Sequence, residues 1–300
     1  MPFLLLFGVQ FSLVAQDDGL WLKLVARHLD SVLAAETVDV KYRVRNLFGD
    51  EQLFDIECQY LTRGEKIYHS VPYPSVSYGG DVLQVFDGGN SFQIKDSNSY
   101  GRIMYLDSKY PGKARDIPVW DSPIGSWYRF LNIESQQNAF YPLSLQELRK
   151  SDFRDAMAAD KVEMVTDEGR DFLLVTLPSF YSGQMGEACM ARLWLDLESG
   201  LIYRQEYGDF SKDGERREMY LLKEVMEIQL DGKKIQLPKA FEWQIWDGVN
   251  DKPFVRSVDI LDLRLDEEVD DALFDLDIRE EGVVKFHDAT VDKWFDVPRN

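Results

Sequence analysis

Nucleophilic catalysis by a serine or cysteine needs a general base, and this chain offers three histidines: His28, His69 and His287. His28 falls on an amphipathic stripe, His69 follows a strand tyrosine, and His287 lies near the C-terminus. The sequence contains no Gly-x-Ser-x-Gly elbow, no His-Glu-x-x-His, no Cys-x-x-Cys and no phosphate-binding glycine loop. Glycosidic cleavage by two carboxylates is defined by their separation in space, so 53 acidic residues keep it open as a minor alternative. The densest acidic run, Asp266, Glu267, Glu268, Asp270 and Asp271, reads as a solvated turn. As a calcium loop it lacks the glycine and the alternation of an EF-hand. The expectation is a protein that is not an enzyme, with no cofactor and no metal.

Cys58 and Cys189 are the two cysteines, too few for a disulfide scaffold or a Cys-rich metal site. Cys58 shares strand parity with Phe54, Ile56 and Tyr60, and Cys189 with Ala191, Leu193 and Leu195. Both read as buried core thiols, and in an oxidising compartment they are a candidate disulfide pair.

The remaining signal is apolar. Aromatic residues crowd the segment from Trp120 to Tyr141, and Trp194, Trp243 and Trp246 lie in or at the ends of strands. Trp243 shares parity with Phe241 and Ile245, whereas Trp246 points the other way. This is either a packed core or the wall of a cavity between a curved sheet and helices.

The elements that must position these residues follow from periodicity. Asp17 and Asp18 can cap a helix over about 18–35, where Trp21, Leu24, Val25, His28, Val32 and Leu33 recur at helical spacing. Val38, Val40, Tyr42 and Val44 then alternate with Asp39, Lys41, Arg43 and Arg45, the pattern of a strand with one wet face. Strands follow at 54–60, 65–71, 81–87, 91–95 and 101–106, with Asp87-Gly88-Gly89-Asn90 as a hairpin turn. Between about 107 and 160 prolines and aromatics replace the alternation, and short helices fit at 122–132, 144–150 and 151–159. Strands resume at 161–166, 170–177, 188–196, 201–209, 215–229, 234–246 and 253–265. Asp266 to Phe274 reads as an acidic helical turn, and the tail 279–300, with Trp294 and Phe295, is unassigned. The fold class is mainly β with some helix: an antiparallel meander carrying an N-terminal helix and a helical insert. One domain over 17–278 is expected; two β subdomains hinged near 140 are the alternative.

Residues 1–16 carry no charge and are rich in Phe, Leu and Val, which is too short for a bilayer span and fits a secretory signal ending near Ala15 or Gln16. No Lys or Arg precedes the run, and an uncleaved anchor or a buried segment are the other readings. Export is expected. A formal charge of −19 repels phosphate backbones and anionic lipid headgroups at distances that salt does not screen, and no nucleic-acid partner is expected.

In four places the wording resembles the LolA/LolB-like superfamily of periplasmic lipoprotein carriers, to which the sensor domain of RseB and mycobacterial lipid carriers also belong. Tyr60-Leu61-Thr62-Arg63-Gly64-Glu65-Lys66-Ile67-Tyr68 looks like that family's strand of aromatic, two residues, Arg-Pro and a second aromatic, with Gly64 in place of the proline. Val85-Phe86-Asp87-Gly88 looks like its Tyr-Asp-Gly hairpin. Leu193-Trp194-Leu195-Asp196 with Ser199-Gly200-Leu201 looks like its strand, Asp and Thr-Gly-Leu turn, and Asp271-Ala272-Leu273-Phe274 like its closing segment. The resemblance implies an unclosed β-barrel under a helical lid, a monomer in the periplasm and a role in outer-membrane lipoprotein sorting or lipid transport. The implied partner is a lipid or lipidated protein, with an envelope protein as a further partner. It gives Arg63 the role of a lid contact; an exposed arginine at a strand end is the plainer alternative. The ligand-facing side chains are expected to be Val40, Tyr42, Phe54, Ile56, Tyr60 and Phe86 from strands, with Trp127 and Phe130 from the lid. An envelope interaction or sensor module with a filled core is the competing function. The chain is longer than a bare carrier, and its insert and tail have no counterpart in the family pattern.

Overall fold

Period-two alternation makes strands with one apolar face, and fifteen of them form the described fold. In this computed structural model the described residues are 20–25, 35–64, 66–74, 80–97, 99–107, 159–182, 187–210, 215–230, 232–246, 252–277, 281–288 and 291–298. The strands are β1 (Thr37–Phe48), β2 (Glu51–Arg63), β3 (Lys66–Pro72), β4 (Asp81–Phe86), β5 (Ser91–Ser97), β6 (Gly101–Asp107), β7 (Lys161–Asp167) and β8 (Arg170–Ser182). They continue as β9 (Glu187–Asp196), β10 (Ile202–Asp209), β11 (Glu215–Leu230), β12 (Lys233–Ile245), β13 (Phe254–Leu265), β14 (Lys285–Asp288) and β15 (Lys293–Asp296). The strands expected from alternation and turn residues fall on β1 to β13. The expected signal at 1–16 and the helical insert, with Trp127 and Phe130, lie outside the described residues. Of the expected N-terminal helix, residues 20–25 are described and are helical.

The chain divides into two compact units. One holds the described residues of 35–107 and 256–298, with strand order β15-β14-β6-β5-β4-β3-β2-β1-β13. From β1 to β6 it is an antiparallel meander. The tail left unassigned by sequence supplies β14, which lies parallel to β6 with Lys285 opposite Ile103, and β15, which pairs antiparallel with β14.

The meander has two different faces. On one, Leu61, Leu83, Val85, Ile94 and Met104 pack against Val269, Phe274, Val283 and Val297 of the chain's last segment. The expected acidic turn closes this core. Asp270 caps a 3-10 helix over Asp271–Phe274 by accepting a hydrogen bond from the Ala272 N–H, and the helix delivers Phe274 inward. Val40, Tyr42, Tyr60, Ile67 and Phe86 belong to the opposite face and are also buried.

The second unit holds residues 20–25 and the described residues of 159–255, with order β12-β11-β10-β9-β8-β7. Leu173, Val175, Leu193 and Leu195 are fully buried, as are Trp21 and Val25 of the helical residues. The β9–β10 turn is tied by Asp196, whose Oδ1 accepts the Ser199 N–H at 2.7 Å and its hydroxyl at 2.8 Å. Gly200 follows with φ of +72°, and a Cβ there would stand 2.8 Å from the Leu24 carbonyl oxygen. Glycine is required here twice over, by the left-handed backbone and by the approach of the helix.

Candidate functional site

The register of β1 to β4 decides which residues share a face. Val40 lies opposite Tyr60, Tyr42 opposite Cys58, and Val44 opposite Ile56. Tyr60 lies opposite His69 and Ile67 opposite Phe86. The strand residues predicted to face a ligand, Val40, Tyr42, Phe54, Ile56, Tyr60 and Phe86, thus share one sheet face, and none is more than 8% exposed. Strand alternation put them there: β2 reads Phe54, Ile56, Cys58 and Tyr60 at every second position, with Asp55, Glu57 and Gln59 on the other side.

This face is not purely apolar. The Tyr42 hydroxyl and His69 Nε2 lie 2.8 Å apart, both residues fully buried, and the Tyr60 ring meets the His69 ring edge-on at 5.5 Å. Gln84, opposite His69, and Thr62 are also buried. Burying such groups is costly without hydrogen bonding, and on this face the Tyr42–His69 contact supplies one such bond. The sequence marked His69 only as a residue after a strand tyrosine. Its partnership with Tyr42 depends on pairing across three strands and has no local signature.

Arg63 ends β2 and reaches the closing segment. Its Nη1 donates to the Val269 carbonyl at 3.2 Å and stands 2.9 Å from Asp271 Oδ1. Lys66, across the β2–β3 turn, lies 3.2 Å from the same carboxylate and 5.5 Å from the centre of the Phe274 ring. An open cleft of about 530 Å³ adjoins them, lined by Lys66, Asp87, Asp271, Ala272, Phe274 and Asp275. Asp87 is fixed at its rim. Burial pushes its carboxyl up, but the N–H groups of Asn90 and Gly89, at 2.7 and 2.8 Å, outweigh that and hold it below the usual carboxylate range. Gly64 has φ of +56° and donates its N–H to the Glu36 carbonyl at 3.1 Å. Proline can do neither, which gives a physical reason for the departure from the family's Arg-Pro wording at this turn.

Cys58 is buried in β2, and Cys189 lies in β9 of the other unit, opposite Phe180. Among the described residues no group of three or more His, Cys, Asp or Glu side chains is placed to hold a metal ion. The described residues contain no helix long and apolar enough to cross a membrane.

The second unit carries its own polar cluster, which the sequence did not reveal. On one face of β10 to β12, Tyr220 stacks on Trp243 at 5.7 Å and meets Tyr207 edge-on at 5.9 Å. The Trp243 indole N–H donates to Glu218 at 3.2 Å, and the Tyr207 hydroxyl donates to Gln205 at 2.9 Å. On the other face Arg204 lies 3.9 Å from the centre of the Trp194 ring and 2.7 Å from Asp167.

No protein-family model matches the chain, and no curated protein matches it. Solved structures to which it is similar include a LolA superfamily protein from Nitrosomonas europaea, at 10% identity and a TM-score of 0.43, covering 84% of this chain and 96% of the other. A putative outer membrane lipoprotein-sorting protein domain from Vibrio parahaemolyticus is similar at 12% identity and a TM-score of 0.42, over 84% of this chain and 95% of the other. A DUF1329 family protein from Desulfovibrio piger is similar at 13% identity and a TM-score of 0.41, over 85% and 95% of the two chains.

Proposed function

We propose that this protein is an exported envelope protein that holds the acyl chains of a lipid or lipoprotein against the apolar face of β1 to β4, without catalysing a reaction. The observation that carries this is the gathering of Val40, Tyr42, Phe54, Ile56, Tyr60 and Phe86 on one sheet face. Each methylene moved from water onto such a surface contributes about 0.8 kcal/mol, so an acyl chain is held without directional bonds. The face opposite is already filled by the chain's own closing segment. In this function Arg63, bound to that segment, sits at the end of the strand that supplies Ile56 and Tyr60.

Native mass spectrometry of the purified full chain, released from detergent, tests this directly. Lipid adducts on the wild type, depleted in Val40→Asp and Ile56→Asp variants that keep the wild-type circular dichroism spectrum, are the expected result. Protein without adducts that takes up no added fatty acid or phospholipid refutes it, and leaves a module that binds other envelope proteins through its surface.

A further inference from the structure

The face proposed to hold acyl chains changes character as it crosses the sheet. Following the register outward from Val40, the residues directly opposite one another are Tyr60, His69, Gln84, Gln93, Tyr105, His287 and Trp294. The neighbouring row runs Val71, Val82, Lys95, Ile103, Lys285 and Asp296. From β1 to β4 both rows are buried apart from the half-buried Val82; from β5 outward, apart from the buried Ile103, they are half-buried or exposed and carry amide, hydroxyl, imidazole and ammonium groups. Lys95 and Lys285 both lie opposite Ile103, one on each side, so their stems stand two strand spacings apart, roughly 10 Å.

The ammonium groups are held close to this surface. Lys95 Nζ lies 4.8 Å from the centre of the Tyr105 ring and Lys285 Nζ 4.9 Å from that of Tyr100. The Tyr105 ring meets His287 at 5.9 Å and Trp294 at 5.5 Å. Asp296 pairs with Lys285 at 3.5 Å from the sheet edge, and Asp292 lies 3.1 Å from His287 Nε2. Both carboxylates are more than four-fifths exposed, so solvent screens them and their pairs are weak. The chain's charge of −19 opposes the approach of an anion from afar, but charges beyond about 8 Å are screened at physiological salt, so the groups within that distance govern a bound headgroup.

We propose that this face orients an amphiphile, with an anionic, phosphate-bearing headgroup over Gln93, Lys95, Tyr105, Lys285 and His287 and its chains directed toward Val40 and Tyr60. This rests on the acyl-binding function above and adds the headgroup class and the direction of binding. The two ammonium groups supply charge, and the Tyr105 hydroxyl, Gln93 amide and His287 ring supply donors between them. A phosphocholine head carries the same phosphate but cancels its charge with its own trimethylammonium, so it matches the two ammonium groups less well than an uncompensated anion.

The test titrates the full chain with short-chain phosphatidylglycerol, short-chain phosphatidylcholine of the same acyl length, and glycerol 1-phosphate, each below its aggregation limit. The wild type is expected to bind the anionic lipid at least tenfold more tightly than the zwitterionic one. In the Lys95→Gln/Lys285→Gln variant that preference falls below about twofold, with the larger loss of affinity on the anionic lipid. Glycerol 1-phosphate alone is expected to bind at least a hundredfold more weakly than the lipid that contains it. Equal binding of the two lipids by the wild type overturns the headgroup assignment and leaves the acyl-binding function standing, and so does an undiminished preference in the double variant. Binding of glycerol 1-phosphate as tight as the lipid overturns it in favour of a site for soluble phosphates. Binding of none of the three overturns both the headgroup assignment and the acyl-binding function.

Discussion

Phe274 is the residue by which the C-terminal segment closes one face of the meander, and its replacement by alanine measures that closure. The side chain is 2% exposed and packs in the cluster of Leu61, Leu83, Val85, Ile94 and Met104. Truncating a buried phenylalanine to alanine costs about 3–5 kcal/mol, from lost transfer energy and the cavity left behind. The carrier here is a four-residue 3-10 helix held by one side-chain cap, so partial collapse is easy and the low end, about 3 kcal/mol, is expected. Losing the ring under Lys66 at 5.5 Å adds about 0.5–1 kcal/mol. Phe274→Leu retains most of the volume and is expected to cost under about 1.5 kcal/mol. Hydrogen exchange resolves the effect by position. At 1.4 kcal/mol per factor of ten, the Leu83, Val85 and Ile94 amides should exchange roughly 300- to 700-fold faster in Phe274→Ala and under about tenfold faster in Phe274→Leu. Rates within fivefold of wild type in Phe274→Ala, or equal acceleration in both variants, would refute the claim that the segment's anchor is this packed ring.

Gly200→Ala and Gly64→Ala form a matched pair. Both positions have positive φ, but a Cβ at 200 meets the Leu24 carbonyl oxygen at 2.8 Å while one at 64 meets nothing within 4 Å, so Gly64→Ala should cost about 1 kcal/mol and Gly200→Ala at least twice that. Equal urea midpoints for the two would contradict the helix contact. Tyr42→Phe removes the hydroxyl that meets His69 Nε2 at 2.8 Å and should lower stability by about 1–2 kcal/mol in urea unfolding; a change below about 0.3 kcal/mol would mean the pair contributes nothing. Asp87→Ala removes the acceptor of the Gly89 and Asn90 N–H groups, at a cost of about 1–2 kcal/mol at pH 7. Because the folded carboxyl titrates below its ordinary value, that stabilisation is present above about pH 4 and disappears as pH falls through the lower folded value. A penalty as large at pH 2 as at pH 7, or one confined to acid, would reverse the assignment.

The meander was readable because its determinants are local. Period-two alternation gave β1 its wet and dry faces, and Asp87-Gly88-Gly89-Asn90 and Asp196 to Gly200 closed turns whose hydrogen bonds run within three or four residues. The acidic turn at 266–274 was readable for the same reason: Asp270 caps a residue two positions on. What could not be read depends on partners distant in sequence. Lys285–Asp288 and Lys293–Asp296 are too short to show a period, and β14 exists through parallel pairing with β6, formed by residues some 180 positions earlier. His69 and Gln84 looked like ordinary strand residues until register placed them opposite each other on a buried face.

Register also explains how one sheet can combine a stable core with the face proposed above to bind acyl chains. A strand presents alternate residues to opposite faces, so Leu61, Tyr68 and Val85 are committed to one side and Tyr60, His69 and Gln84 to the other. The first side is closed by Val269, Phe274, Val283 and Val297, which stabilise the sheet without drawing on the second. A one-residue slip of any strand would exchange the two sets, so the same hydrophobic pattern that selects the closed core also fixes which residues lie on the other face. The tail does both jobs. Phe286 of β14 packs toward the closed core, while its neighbours Lys285 and His287 extend the polar end of the opposite face. Removing 281–300 should therefore weaken the core and abolish headgroup preference together, whereas Lys95→Gln/Lys285→Gln should abolish the preference alone; separating the two effects in urea unfolding and lipid titration would establish that the binding surface is an addition to the fold and not a by-product of its stability.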